Sequence, residues 1–185
     1  MKRIQYYTYG GPEVMHLEDF ELLTLAKGRI TIKVKFAAIN PIDWKVRQGN
    51  LKMLTGKSFP RAMGSDFSGT VLNVGTGVTR LKPGDPVFGL SRLKESGSLG
   101  EAVVTNEIFV AKKPSELSFE QAACLGTAGV MAWMGLVDKA GLKAGQRDFV
   151  NGCTGSVGET VVQLAHMLGG HCHASFGLAI SMTAR

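Results

Sequence analysis

Phe149-Val150-Asn151-Gly152-Cys153-Thr154-Gly155-Ser156-Val157-Gly158 is the stretch on which the reading of this chain turns. A short apolar strand, residues 147–151, runs into it. The residues from Glu159 to Leu168 leave it as a helix, with Val161, Val162, Ala165 and Leu168 on the inner side. Gly169-Gly170 ends that helix in the manner of a C-cap, and His171–Ser175 follows as a second strand. The glycines are spaced G-x-x-G-x-x-G, a variant of the dinucleotide-binding pattern G-x-G-x-x-G. Gly152 and Gly155 permit a tight turn and keep Cβ atoms away from a pyrophosphate, and Gly158 lets the helix pack closely. The N–H groups of Ser156 and Val157 then lie at the helix N-terminus, where the dipole favours phosphate. Glycines also cluster in turns that bind nothing. Placement between a strand and an amphipathic helix is what makes Gly152, Thr154, Gly155, Ser156, Val157 and Gly158 a candidate cofactor cradle.

The residues after the cradle bear on which dinucleotide it would take. An Asp or Glu closing the second strand would bind the ribose hydroxyls and repel a 2′-phosphate. Between His171 and Arg185 there is no acidic residue; Ser175 is the nearest hydroxyl and Arg185 the nearest fixed charge. NADPH is therefore expected over NADH, with Ser175 at the ribose end. His166, His171, Cys172 and His173 look like metal ligands, but on a strand His171 and His173 share one face while Cys172 points to the other. No metal is expected there. Residues 180–185 read as the start of another helix.

Working back from the turn, the first two thirds read as β structure. Ile30, Ile32, Val34 and Phe36 alternate with Thr31, Lys33 and Lys35, predicting one buried and one wet face. Further strands are expected over 3–7, 14–21, 67–74, 87–90, 101–105 and 108–112, separated by Gly10-Gly11-Pro12, Gly75-Thr76-Gly77 and Lys82-Pro83-Gly84-Asp85. Near Pro114 the character changes. Ser118 with Gln121 fits a capping box, opening a helical bridge toward Lys139. The expected organisation is a β domain over 1–115, then a helical bridge and nucleotide-binding unit over 116–185.

Composition narrows the function classes. The chain has 185 residues, 44% hydrophobic and 19% charged, an ordinary globular balance. Lys and Arg outnumber Asp and Glu by 21 to 15, but the charges are scattered without a basic helix or arginine block, which argues against a nucleic-acid partner. Cys124, Cys153 and Cys172 form no C-x-x-C pair, consistent with free thiols in a reducing cytoplasm. No apolar run reaches the roughly 20 residues of a bilayer span, so no membrane partner is expected.

Several further segments carry a resemblance. Asn40-Pro41-Ile42-Asp43-Trp44-Lys45, Gly64-Ser65-Asp66-Phe67-Ser68-Gly69, Lys82-Pro83-Gly84-Asp85-Pro86-Val87-Phe88-Gly89 and Gly126-Thr127-Ala128 occur in order ahead of the glycine turn. Together they resemble the medium-chain dehydrogenase/reductase superfamily, in particular its zinc-free quinone oxidoreductase branch. The resemblance implies a GroES-like β-barrel domain followed by the first βαβ unit of an incomplete Rossmann fold. It also implies NADPH-dependent hydride transfer to a quinone or α,β-unsaturated carbonyl, and a homodimer. Asn40 falls where zinc-dependent relatives place a cysteine, Ser65 where they place a histidine, and Asp66 at the position of their nearby glutamate. Zinc is accordingly not expected, since its soft ligands are missing. Asn40, Lys45 and Thr127 are the candidate catalytic residues, Asn40 and Thr127 also approaching the nicotinamide in relatives. Asp43 is expected to fix local geometry as a turn or cap residue. The family's remaining parallel strands have no counterpart here, so the chain reads as C-terminally shortened. That leaves an alternative: a catalytically silent relative acting as a self-associating scaffold or binding protein.

Overall fold

A ten-residue strand, β3 (Arg29–Ala38), organises the β-rich part of the chain. The computed structural model describes residues 1–22, 24–95 and 97–175. Strand β3 lies between β5 (Asp66–Val74) and β7 (Ala102–Asn106), antiparallel to both. Strands β6 (Pro86–Leu90) and β8 (Val110–Lys112) extend the sheet to the order β7-β3-β5-β6-β8. A smaller sheet has the order β2-β1-β4, from β1 (Lys2–Tyr6), β2 (His16–Asp19) and β4 (Arg61–Ala62). The two are stitched together where Ile4 donates to the Leu99 carbonyl (2.8 Å) and Glu101 to that of Lys2 (2.9 Å), just ahead of β7.

Ile30, Ile32, Phe67, Val71, Leu81, Val87, Val103 and Val110 form one buried cluster. Each such side chain contributes about 1.5–3 kcal/mol relative to leaving it in water. The simple alternation expected for β3 holds only over residues 32–35. Thr31 is buried, and Phe36 is 40% exposed. The register against β5 shifts between Thr31 and Ile32 and again between Val34 and Phe36, and such irregularities re-aim the side chains around them.

Between β3 and β5 the chain forms two helices that the hydrophobic pattern did not signal: α1 (Pro41–Arg47) and the single turn α2 (Lys52–Thr55). The expected strand over 14–21 contracts to β2, because Pro12–Val14 takes a 3-10 turn. The strand expected over 108–112 likewise contracts to β8, behind a 3-10 turn at Glu107–Phe109. The helical bridge is broken into α3 (Phe119–Ala123), α4 (Leu125–Trp133) and a π-helical turn, Met134–Lys139. The capping box of Ser118 and Gln121 opens α3 as expected. Helix α3 docks on the sheet, with Ser68 Oγ donating to the Phe119 carbonyl at 2.5 Å and Lys35 Nζ 4.2 Å from the Phe119 ring centroid.

The chain divides into two compact units, Met1–Gly126 and Thr127–Arg185. In the second, β9 (Arg147–Asn151) and β10 (His171–Ser175) pair in parallel in the register Arg147↔His171 to Asn151↔Ser175. Helix α5 (Ser156–Met167) connects them and buries Ala165. This is the β-α-β unit that the glycine turn predicted. The helix expected over 180–185 lies outside the described residues. Among those described, no helix is long and apolar enough to cross a membrane.

Candidate functional site

The candidate residues of the first unit gather where β3 gives way to α1. Asn40 is the N-cap of α1 and Pro41 its first residue, where a missing N–H costs nothing. Asp43 reaches back to accept from the Asn40 backbone N–H at 2.8 Å, which is the capping role expected of it. Its other oxygen accepts from Ser65 Oγ at 3.0 Å. The Asn40 amide donates from Nδ2 to Asp66 Oδ2 at 3.1 Å. All four residues are buried, Asp66 completely. Two carboxylates are thus held in a dry network of hydroxyl, amide and backbone donors.

Burial pushes the Asp43 carboxyl up, and the neighbouring Asp66 charge adds to the effect; the Asn40 N–H and Ser65 hydroxyl oppose it. Gly126 closes the network within the same unit. A Cβ there would sit 2.9 Å from Asp66 Cγ and 2.9 Å from the Gly89 carbonyl oxygen, so only glycine lets the chain pass this close.

Asn40 and Ser65 spend their polar atoms on carboxylates, and neither is an N or S donor of the kind zinc favours. Among the described residues, no three His, Cys, Asp or Glu side chains converge in a metal-binding group. The histidines behave as strand geometry requires: His171 and His173 are exposed, while Cys172 is half-buried on the opposite face, paired in register with Asp148. Lys45 does not join the buried network. It is exposed, with Nζ 5.6 Å from the Trp44 ring centroid. Thr127 is half-buried in α4 and belongs to the second unit.

In that second unit the turn needs glycine at Gly152 and Gly158, while Gly155 has an ordinary backbone conformation. Gly152 has φ +76°, a left-handed conformation that favours glycine. Its N–H and that of Cys153 both donate to the Ser175 carbonyl at 3.1 Å, tying the turn to the end of β10. Ser175 Oγ donates to Asn151 Oδ1 at 2.7 Å, so the hydroxyl at the second strand's end stands beside the first strand's end. A Cβ on Gly158 would overlap the Gly152 carbonyl oxygen and meet Cys153 Cα at 2.9 Å. A Cβ on Gly155 would meet nothing closer than 3.6 Å. Gly155 caps α5 without a side-chain bond, and the Ser156 and Val157 N–H groups have no partner among the described residues. Orphan donors at a twelve-residue helix start are what an anionic phosphate requires.

A β domain of two stitched sheets, followed by a parallel β-α-β unit, defines a class: a GroES-like domain joined to the first unit of a Rossmann-type fold. The alcohol dehydrogenase GroES-like domain matches residues 26–142. The chain belongs to that family, and with it to the quinone oxidoreductase-like branch of the medium-chain dehydrogenase/reductase superfamily. It is 40% identical over 177 residues to the 2-methylene-furan-3-one reductase of Solanum lycopersicum, covering 91% of this chain and 45% of that one. With the chloroplastic NADPH-dependent alkenal/one oxidoreductase of Arabidopsis thaliana it shares 38% identity, at the same coverage of 91% and 45%. The Escherichia coli quinone oxidoreductase complexed with NADPH superposes with a TM-score of 0.83 at 29% identity, over 99% of this chain and 55% of that one. The chain spans about half the length of each of these three relatives.

Proposed function

We propose that this chain serves NADPH-dependent hydride transfer to a quinone or an α,β-unsaturated carbonyl compound, without zinc. The observation that carries the reading is the glycine turn, with its orphan N–H groups and its closely packed Gly158. NADPH, when bound, supplies the hydride. The chain's own contribution begins with the Ser156 and Val157 amides, which hold a phosphate at the start of α5. Ser175 offers a hydroxyl rather than a repelling carboxylate where a 2′-phosphate would lie. Asn40 keeps a second amide hydrogen beyond the one spent on Asp66. That hydrogen serves a developing enolate or phenolate oxygen, which needs a fixed donor rather than a Lewis acid. Thr127 is the hydroxyl proposed for the reacting end. Lys45, exposed against Trp44, is the weaker candidate as proton source.

Titration with NADPH and with NADH, followed by thermal shift, tests the cofactor reading. NADPH should raise the melting temperature and NADH should do so less. Added 1,4-benzoquinone or an enone should then consume NADPH absorbance. No shift with either dinucleotide and no oxidation would overturn the reading. Self-association, as a scaffold or as a homodimer, has one observation behind it: Phe149 is 69% exposed on the open face of β9.

A further inference from the structure

The first unit holds a cavity of about 370 Å³ that has no part in the Asn40 network. Arg29, at its edge, opens β3, and Asn40 follows that strand's other end. Ten residues of strand put the two regions roughly 30 Å apart. Ala102 and Val104 of β7 form an apolar wall, with Phe20 and Leu25 contributed by the segment between β2 and β3. A volume of this size falls in the range of small-molecule sites, roughly 300–1,000 Å³.

Charge decides what such a site would take. Arg29 is already committed: Nη1 lies 2.8 Å from Glu95 Oε1, and Nη2 donates to the Val104 carbonyl at 3.2 Å. Glu95 meets Arg29 through Oε1 alone, and its Oε2 is buried with no hydrogen-bond partner among the described residues. Glu21 also borders the cavity but is exposed, so solvent screens its charge. Arg3 differs from all three. Its Nε donates to Gln5 Oε1 at 2.9 Å and its guanidinium lies 4.7 Å from the Phe20 ring centroid. Its two terminal nitrogens have no protein partner among the described residues. Partial burial lowers its pKa, the mark of a cation that has lost hydration and gains by meeting an anion. A guanidinium with a free fork beside an apolar wall matches a carboxylate on an apolar body.

We propose that this cavity is a binding site for small apolar monocarboxylates, with Arg3 as the anion anchor and the β7 wall receiving the apolar body. The site is independent of whether the glycine turn holds a dinucleotide.

Phenylacetate is the probe, with 2-phenylethanol as its uncharged counterpart, titrated into the full chain by calorimetry or by NMR. Phenylacetate should bind saturably, with 2-phenylethanol about tenfold weaker, as the loss of one charge-assisted pair requires. R3Q should weaken phenylacetate by about the same factor. Because Arg3 also packs on Phe20, a second variant guards against a folding defect: A26W places a bulky ring at an exposed residue of the cavity's rim. It should abolish binding at an unchanged melting temperature. Absence of saturable binding up to about 10 mM, a weak limit even for a fragment, would overturn the proposal. So would equal affinity for the two probes, or unchanged phenylacetate affinity in R3Q or in A26W.

Discussion

Asp43 illustrates how a residue acquires its character from partners far away in sequence. Its carboxyl is harder to ionise in the folded chain than in the unfolded one, first through burial and then through Asp66. A folded state with a raised carboxyl pKa binds more protons than the unfolded state. The contribution is therefore present in full below the ordinary aspartate value and is lost as pH rises through the raised one. D43N keeps an acceptor for the Asn40 N–H but removes the titration. Thermal melts between about pH 4 and pH 7 should fall less steeply in D43N than in the parent chain; identical slopes would assign the buried charge elsewhere. Cys172 makes a second case. Burial, with the Asp148 carboxylate beside it, pushes its thiol up to about 11. Against an ordinary thiol near 9, that leaves about a hundredfold less thiolate at neutral pH. Iodoacetamide followed by peptide mass mapping should therefore label exposed Cys124 long before Cys172. Of the site itself, the residue types were readable in sequence but the contacts were not. Nothing local says that Ser65 bonds to Asp43, 22 positions away, or that Asn40 bonds to Asp66, 26 positions away.

At the scale of elements, legibility followed the strength of the local signal. The β-α-β unit was readable because alternation, glycine punctuation and a helical face agree over thirty residues. Strands β3, β5 and β7 are legible from β-branched residues between turns, and β6 from its apolar residues after the turn at residues 82–85. Helix α1 is not legible as a period because its seven residues carry too few apolar positions, although Pro41 at N1 and Asp43 at N3 are both start signals. Strand β4 has two residues and exists only because β1 needs a neighbour, a tertiary cause that no local pattern shows. The glycine turn permits a test that separates packing from binding. G158A forces a methyl group into the Gly152 carbonyl, so the turn must open. It should cost about 1–3 kcal/mol of stability as well as NADPH affinity. G155A meets open space at an ordinary φ of −82°. It should leave the melting temperature of the free chain near the parent value while weakening NADPH by tenfold or so, because the methyl group stands where a pyrophosphate approaches. Equal NADPH affinity in G155A would show that the turn is structural only.

For the whole molecule, the open question is what covers the second unit's sheet. Among the described residues β9 and β10 pair only with each other, leaving one edge of each strand unpaired. Helix α5 serves one face. On the other face Phe149 is 69% exposed, and His171 and His173 are exposed beside it. Parallel strands are ordinarily covered on both faces, and a bare edge invites another chain. Burying an aromatic ring of this size against a second copy gains on the order of 2 kcal/mol per protomer. That is a modest driving force, so association should depend on concentration rather than be locked. In sedimentation or size-exclusion runs over a hundredfold concentration range, the parent chain should move from monomer toward dimer. F149E should stay monomeric with the same melting temperature, since the ring makes little contribution to the chain's own core. If F149E associates as the parent does, the unpaired strand edges rather than the aromatic face bring the copies together. A parent chain that stays monomeric throughout would remove the observation on which self-association rests, leaving the reductase reading as the one supported by the site.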